Sequence, residues 1–219
     1  MSAHDFLSPL TTHNFRASWV GRVADVPVKV ERNIAVNNLL PYHLRAVDKM
    51  GGSEKFFWRC EQTHGTNVGL VKGASHGNIL PDADALITND PRITLGIYVA
   101  DCAAIYIADP KNQAIGLVHS GRVGSEQNIL GETLTALAES FGSSPNDLII
   151  TVAPCIRPPN YEVDFASLIR NQALENGVLE ANYHDCGICT TSNPELYYSY
   201  RKEQGKTGRM LALMACGKT

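Results

Sequence analysis

Apolar and polar positions follow two rhythms along the chain. Phe15 to Val23 and Val26 to Arg32 alternate one by one around Ala24-Asp25, which predicts a strand pair. Pro41 to Met50 carries Leu44, Val47 and Met50 at helical spacing and stops at Gly51-Gly52, which predicts a helix. Phe56 to Cys60 and Asn67 to Val71 read as strands flanking Glu61-Gln62-Thr63-His64-Gly65. The middle is denser in strands. Asp84 to Thr88, Thr94 to Ala100, Ala103 to Ala108 and Gln113 to His119 are apolar or β-branched runs, broken by turns such as Asp109-Pro110-Lys111-Asn112. Glu126 to Phe141 puts Ile129, Leu130, Leu134, Leu137, Ala138 and Phe141 on one helical face, with Ser125 as N-cap and Gly142 past the end. Then come a predicted strand over Asp147 to Ala153 and a helix from Asp164 to about Glu175. A helix start at Asn193-Pro194-Glu195 and a strand over Arg209 to Ala215 complete the pattern. No repeat or Pro/Gly/Ser-rich linker divides the chain, so one α+β domain with mixed sheets is expected over 1–219.

Composition narrows the function classes. The 219 residues are 44% hydrophobic and carry a net charge of −3, which argues against a nucleic-acid binder with its clustered basic face. Apolar stretches such as Leu148 to Ala153 are far too short to span a bilayer. The start, MSAHDFLSPL, has neither the basic n-region nor the apolar h-region of a secretory signal, so a cytoplasmic location is expected. In that compartment the six cysteines are expected to be reduced.

Three residues able to hold soft or borderline metals fall at predicted strand ends: His64, Cys102 and His119. Two imidazoles and a thiolate suit Zn²⁺ and leave a fourth position open, as catalytic zinc requires. Their spacing lacks the tight pairs of a zinc finger, so three unrelated residues is the competing reading. Asp101 adjoins Cys102, and Asp82 and Asp84 precede a strand; each either orients a metal-bound His or caps a turn. Gly121-Arg122-Val123-Gly124-Ser125 reads equally as a weak anion loop or a tight turn. Tyr200-Arg201-Lys202 and Gly205-Lys206-Thr207-Gly208-Arg209 form the most basic stretch, which is either exposed loop charge or a clamp for a substrate anion. Cys186-Gly187-Ile188-Cys189 lacks both a thioredoxin-like context and a second pair for a zinc knuckle.

Together, certain stretches resemble one family. They are Glu61-Gln62-Thr63-His64-Gly65, Asp82-Ala83-Asp84-Ala85-Leu86-Ile87-Thr88, Ala100-Asp101-Cys102 and Leu117-Val118-His119-Ser120-Gly121. Further along are Ala153-Pro154-Cys155-Ile156, Tyr161-Glu162-Val163, Cys189-Thr190, Ser199-Tyr200-Arg201 and Gly205-Lys206-Thr207-Gly208-Arg209. In order and spacing they are similar to the purine nucleoside phosphorylase family long labelled polyphenol oxidase or laccase-domain, over about residues 56 to 216. The resemblance implies mixed β-sheets sandwiched by helices, a fold related to a cysteine-dependent toxin deamidase. It implies zinc, with copper as an alternative, held by His64, Cys102 and His119. It also implies phosphorolysis of adenosine, inosine and methylthioadenosine, and deamination of adenosine. Two departures stand out. The family usually follows its second metal His with Ala-Gly-Trp-Arg-Gly, whereas His119 precedes Ser120-Gly121-Arg122-Val123-Gly124; and residues 1–55 only faintly echo the family's N-terminal part.

The leading expectation is therefore a zinc-dependent purine nucleoside enzyme acting on a nucleoside and phosphate, as a monomer or homodimer. His64, Cys102, His119 and Asp101 are its expected catalytic residues; Gln62, Arg122, Arg201, Lys206 and Arg209 are its expected substrate contacts. A cysteine amidase of the peptidoglycan-editing type, with Cys102 as nucleophile and His119 as base, competes for the same atoms. A purine-binding relative without catalysis is the third possibility. Blue multicopper oxidase chemistry is not expected, because the seven histidines form no H-x-H pair.

Overall fold

A computed structural model describes residues 5–74 and 78–217; the first four residues of the expected leaderless N-terminus lie outside this range. The first third of the chain forms α1 (Ser8–Thr11), β1 (Arg16–Val20), α2 (Arg32–Lys49), β2 (Phe57–Cys60), β3 (Val68–Leu70) and β4 (Ile79–Leu80). The strand-rich middle gives β5 (Ala85–Thr88), β6 (Thr94–Val99), β7 (Ala103–Asp109) and β8 (Ala114–Ser120). After it come α3 (Arg122–Glu126), α4 (Ile129–Phe141), β9 (Ile149–Val152), α5 (Phe165–Glu175), β10 (Tyr183–Asp185) and β11 (Met210–Ala215).

The strands form two mixed sheets, one ordered β1-β11-β6-β2-β4 and the other β10-β9-β7-β8-β5-β3. Alternation along β6 explains how they stack. Leu95, Ile97 and Val99 face the second sheet and meet Tyr106, Ala108, Ile115 and Leu117. Trp19, Trp58, Met210, Ala212 and Met214 fill the same layer. Thr94, Gly96 and Tyr98 point the other way, where Phe57, Tyr98, Leu211 and Leu213 pack with Val47 of α2. Gly96 is required there, because a Cβ would fall 2.4 Å from the Phe57 ring. The outer face of the second sheet, with Ile105, Ile107, Val118 and Ile150, is covered by Leu130, Leu134 and Leu137 of α4 and Phe165 and Ile169 of α5. The result is the expected pair of mixed sheets sandwiched by helices. Both sheets are buried on both faces, so their central strands read as nearly unbroken apolar runs. No helix among the described residues is long and apolar enough to cross a membrane.

Several local expectations are corrected. Residues 26–32 form no strand, and β1 pairs antiparallel with β11 instead. Pro27 has no N–H to donate, so the expected partner could not have completed a ladder. The helix expected over Pro41–Met50 starts upstream at Arg32 and runs through Pro41. Its Asn-rich first half has weak propensity, but Ala35, Leu39, His43 and Val47 form a buried stripe, and packing decides. The helix expected from Glu126 is split: α3 ends at Glu126, and Asn128, at φ 62°, caps α4 by accepting from the Gly131 N–H at 3.1 Å. Asn193 starts no helix. All six cysteines are free thiols.

Candidate metal centre and substrate cavity

Strand register assembles the centre. β5 pairs antiparallel with β8, Ala85 opposite Val118, so Asp84 and His119 fall side by side just beyond; the His119 N–H donates to the Asp84 carbonyl at 2.7 Å. β8 pairs with β7, Ala103 opposite Ser120, which leaves Cys102 next to Gly121. A Cβ on Gly121 would lie 2.7 Å from Cys102 Sγ and 3.5 Å from the His64 ring, so only glycine lets the thiol sit there. His64 arrives from the loop after β2. Its ring lies edge-on to that of His119, centroids 4.8 Å apart at 77°.

That loop is bent by left-handed residues, Gln62 at φ 63° and His64 at φ 64°. Such conformations cost non-glycine residues about 1 kcal/mol or more each, which other bonds must offset. Asp84 provides them. Its Oδ2 accepts from the N–H groups of Thr63 (3.0 Å) and Gly65 (2.8 Å) and from Thr63 Oγ1 (3.2 Å). Its Oδ1 accepts from the His64 N–H (3.0 Å) and from His119 Nδ1 (2.7 Å). Gln62 adds two more, donating to the Tyr98 carbonyl at 2.6 Å and accepting from the Tyr98 N–H at 3.0 Å.

The electrostatics follow from these contacts. Burial opposes the Asp84 carboxylate, but His119 and the Gly65 and His64 N–H groups outweigh it and hold the group below the usual carboxylate range. An ionised Asp84 can only accept, so His119 carries its proton on Nδ1 and presents Nε2 to the centre. Burial likewise opposes the Cys102 thiolate, yet His119 and His64 bring the thiol down to about 6. His119 is the complement: burial disfavours its cation, and Cys102 and Asp84 raise it to about 9.

His64, Cys102 and His119 place their ligand atoms within 4.8 Å of one another. Zinc bonds of ~2.0–2.3 Å require a somewhat tighter cluster, a gap that small side-chain rotations close. The donor set fits a borderline divalent ion, and Asp84 behind His119 is the supporting carboxylate such a ligand usually has.

The centre lies on the wall of a cavity of about 950 Å³. Each expected substrate contact lines it, in different states. The Gln62 amide is committed to the Tyr98 backbone. Arg122 is exposed and paired with Glu126 at 2.8 Å. Arg201 pairs with Glu162 at 2.7 Å and lies over the Tyr161 ring. Lys206 is exposed, and Arg209 is buried. Asp101, expected to be catalytic, is turned towards three loops: Oδ1 accepts from Thr190 Oγ1 (2.6 Å), and Oδ2 from Ser199 Oγ (3.0 Å) and the Arg201 N–H (2.7 Å). Sequence reasoning missed Val30, Glu31, Arg32, Phe165 and Tyr98 on the wall. Only Tyr161 and Tyr200, inside quoted motifs, carried a signal.

Fold and site define a single-domain sandwich protein of two mixed sheets, with a His–Cys–His centre in a cation-lined cavity. The chain matches the family model described as multi-copper polyphenol oxidoreductase laccase over residues 20–166 and 162–217, and it belongs to that family. It is 29% identical to purine nucleoside phosphorylase YlmD of Bacillus subtilis, covering 70% of this chain and 68% of that protein. It is 30% identical to a purine nucleoside phosphorylase of Deinococcus radiodurans, covering 78% and 74%. The crystal structure of YlmD from Geobacillus stearothermophilus shares the fold, with a TM-score of 0.80, 22% identity, and coverage of 94% and 93%.

Proposed function

We propose that this protein is a zinc-dependent purine nucleoside enzyme, catalysing phosphorolysis of adenosine, inosine or methylthioadenosine and deamination of adenosine. The observation that carries this reading is the His64–Cys102–His119 cluster on the wall of a cavity that also offers aromatic faces and cations. The names of the relatives in Bacillus subtilis and Deinococcus radiodurans support it. Bound by His64, Cys102 and His119 Nε2, zinc would supply Lewis acidity. Tyr161, Phe165 and Tyr200 offer faces on which a purine can stack. In phosphorolysis a phosphate oxygen bonds to ribose C1′ as the C1′–N9 bond breaks; the electron pair leaves with the base, which takes up a proton. Arg122, Arg201, Lys206 and Arg209 are the cations available to the phosphate charge. In deamination water adds at C6 and ammonia departs. Asp84 orients His119, and Asp101 positions the loop carrying Tyr200 and Arg201.

The test is metal analysis of the wild type and Cys102→Ser, with turnover of adenosine followed with and without phosphate. The expected result is about one zinc per chain in the wild type, with metal and turnover lost together in the variant. Retained stoichiometric zinc would remove Cys102 from the ligand set. Cys102, His119 and Asp84 also stand in the order of nucleophile, base and orienting carboxylate, which favours a cysteine amidase as the second reading. Rapid alkylation of Cys102 that zinc does not slow would favour that reading.

A further inference from the structure

The cavity's cations divide into two groups. Arg122 and Arg201 are each answered by a glutamate, whereas Arg32, Lys206 and Arg209 form no ion pair among the described residues. Arg209 is the most demanding of these. It is 9% exposed, and its Nη1 donates only to the carbonyls of Thr207 (3.0 Å) and Gly208 (2.9 Å). Its Nε and Nη2 have no hydrogen-bond partner among the described residues. Burial, with the charge of Arg32 added, weakens its hold on its proton. A buried guanidinium without an ion-pair partner is costly, and an anion in the cavity removes that cost.

A second feature converges on the same wall. α2 begins there, with Val30, Glu31 and Arg32 lining the cavity. The N-cap residue Glu31 makes no side-chain cap, so the first N–H groups of this 18-residue helix and its positive dipole end are left for another acceptor. Two guanidinium forks, an ammonium and a helix terminus reach one cavity from separate segments of the chain. That arrangement suits a tetrahedral phosphoryl dianion better than a planar carboxylate.

We propose that Arg209, Arg32, Lys206 and the first turn of α2 form a phosphoryl-binding subsite in this cavity. It deepens the reading above, resting on it only for the reaction that uses the bound group. The phosphoryl group is either inorganic phosphate, the attacking co-substrate, or the 5′-phosphate of a nucleotide.

The experiment is calorimetric titration of the full chain with inorganic phosphate, AMP and adenosine, in the wild type, Arg32→Glu and Arg45→Glu. Arg32 is exposed and its one side-chain bond reaches the Glu61 carbonyl, so its replacement spares the fold. Arg45, on the same helix, bonds only the Pro41 carbonyl and controls for net charge. Arg32→Glu is expected to weaken phosphate or AMP binding by about tenfold or more, leaving adenosine within about twofold and Arg45→Glu like the wild type. Weakening for phosphate itself assigns the co-substrate; weakening for AMP alone assigns a nucleotide. Equal affinities in all three proteins, equal losses in both variants, or no binding of phosphate or AMP would overturn the subsite. Turnover of adenosine with an unchanged phosphate KM in Arg32→Glu would overturn the subsite and leave the reaction standing. An Arg32-dependent affinity without turnover would keep the subsite and sink the reaction.

Discussion

Asp84 and Asp101 are both buried carboxylates beside one cavity, and the contrast between them separates holding a centre from holding a wall. Asp84 gathers Thr63, His64 and Gly65 onto His119, so its bonds fix two of the three candidate ligands directly. Asp101 sits next to the third ligand in sequence, yet its oxygens serve Thr190, Ser199 and Arg201. Its own backbone is left-handed, at φ 86°, which turns the carboxylate away from the direction Cys102 takes. Adjacency in sequence pointed to a shared role that backbone conformation separates.

The largest expected effect is from Asp84→Ala. It strips the acceptor from three backbone N–H groups and a buried imidazole, and a loss of about 3–5 kcal/mol is expected by denaturant titration, with loss of bound metal. The pH dependence follows the same contact. Because the folded-state pKa is depressed, the stabilisation is present above the ordinary value of 3.8 and is lost as pH falls through the lower folded value. Asp101→Ala is expected to cost about 1–3 kcal/mol. Hydrogen exchange should quicken over residues 190–206 while zinc content is retained; loss of zinc would erase the distinction between the two aspartates. Arg201→Ala is expected to change stability by about 0.5 kcal/mol or less. The bond to Asp101 uses the backbone N–H, and the ion pair with Glu162 is exposed. A larger loss on thermal denaturation would move the anchor of this loop to the Arg201 side chain.

Legibility in the sequence followed the reach of the forces involved. β5 to β8 were readable because each is a local apolar run ended by a turn, and their pairing then placed His119 and Cys102. The start of α2 was not, because Asn33, Asn37 and Asn38 disfavour a helix locally and the stripe that secures it works only against a distant sheet. The break at Asn128 depends on one left-handed residue. Arg32 reaches the cavity through that unread helix, so nothing near it in sequence announced it. Arg201 and Arg209 were read as equals, and only burial and ion pairing distinguish them.

The pairing of β5, β8 and β7 has a consequence for how the protein matures. A one-residue slip in either ladder would turn His119 or Cys102 to the opposite face. A chain folded out of step could therefore retain much of its apolar interior and still fail to capture an ion. Metal uptake would then act as a check on assembly, favouring correctly paired chains by mass action.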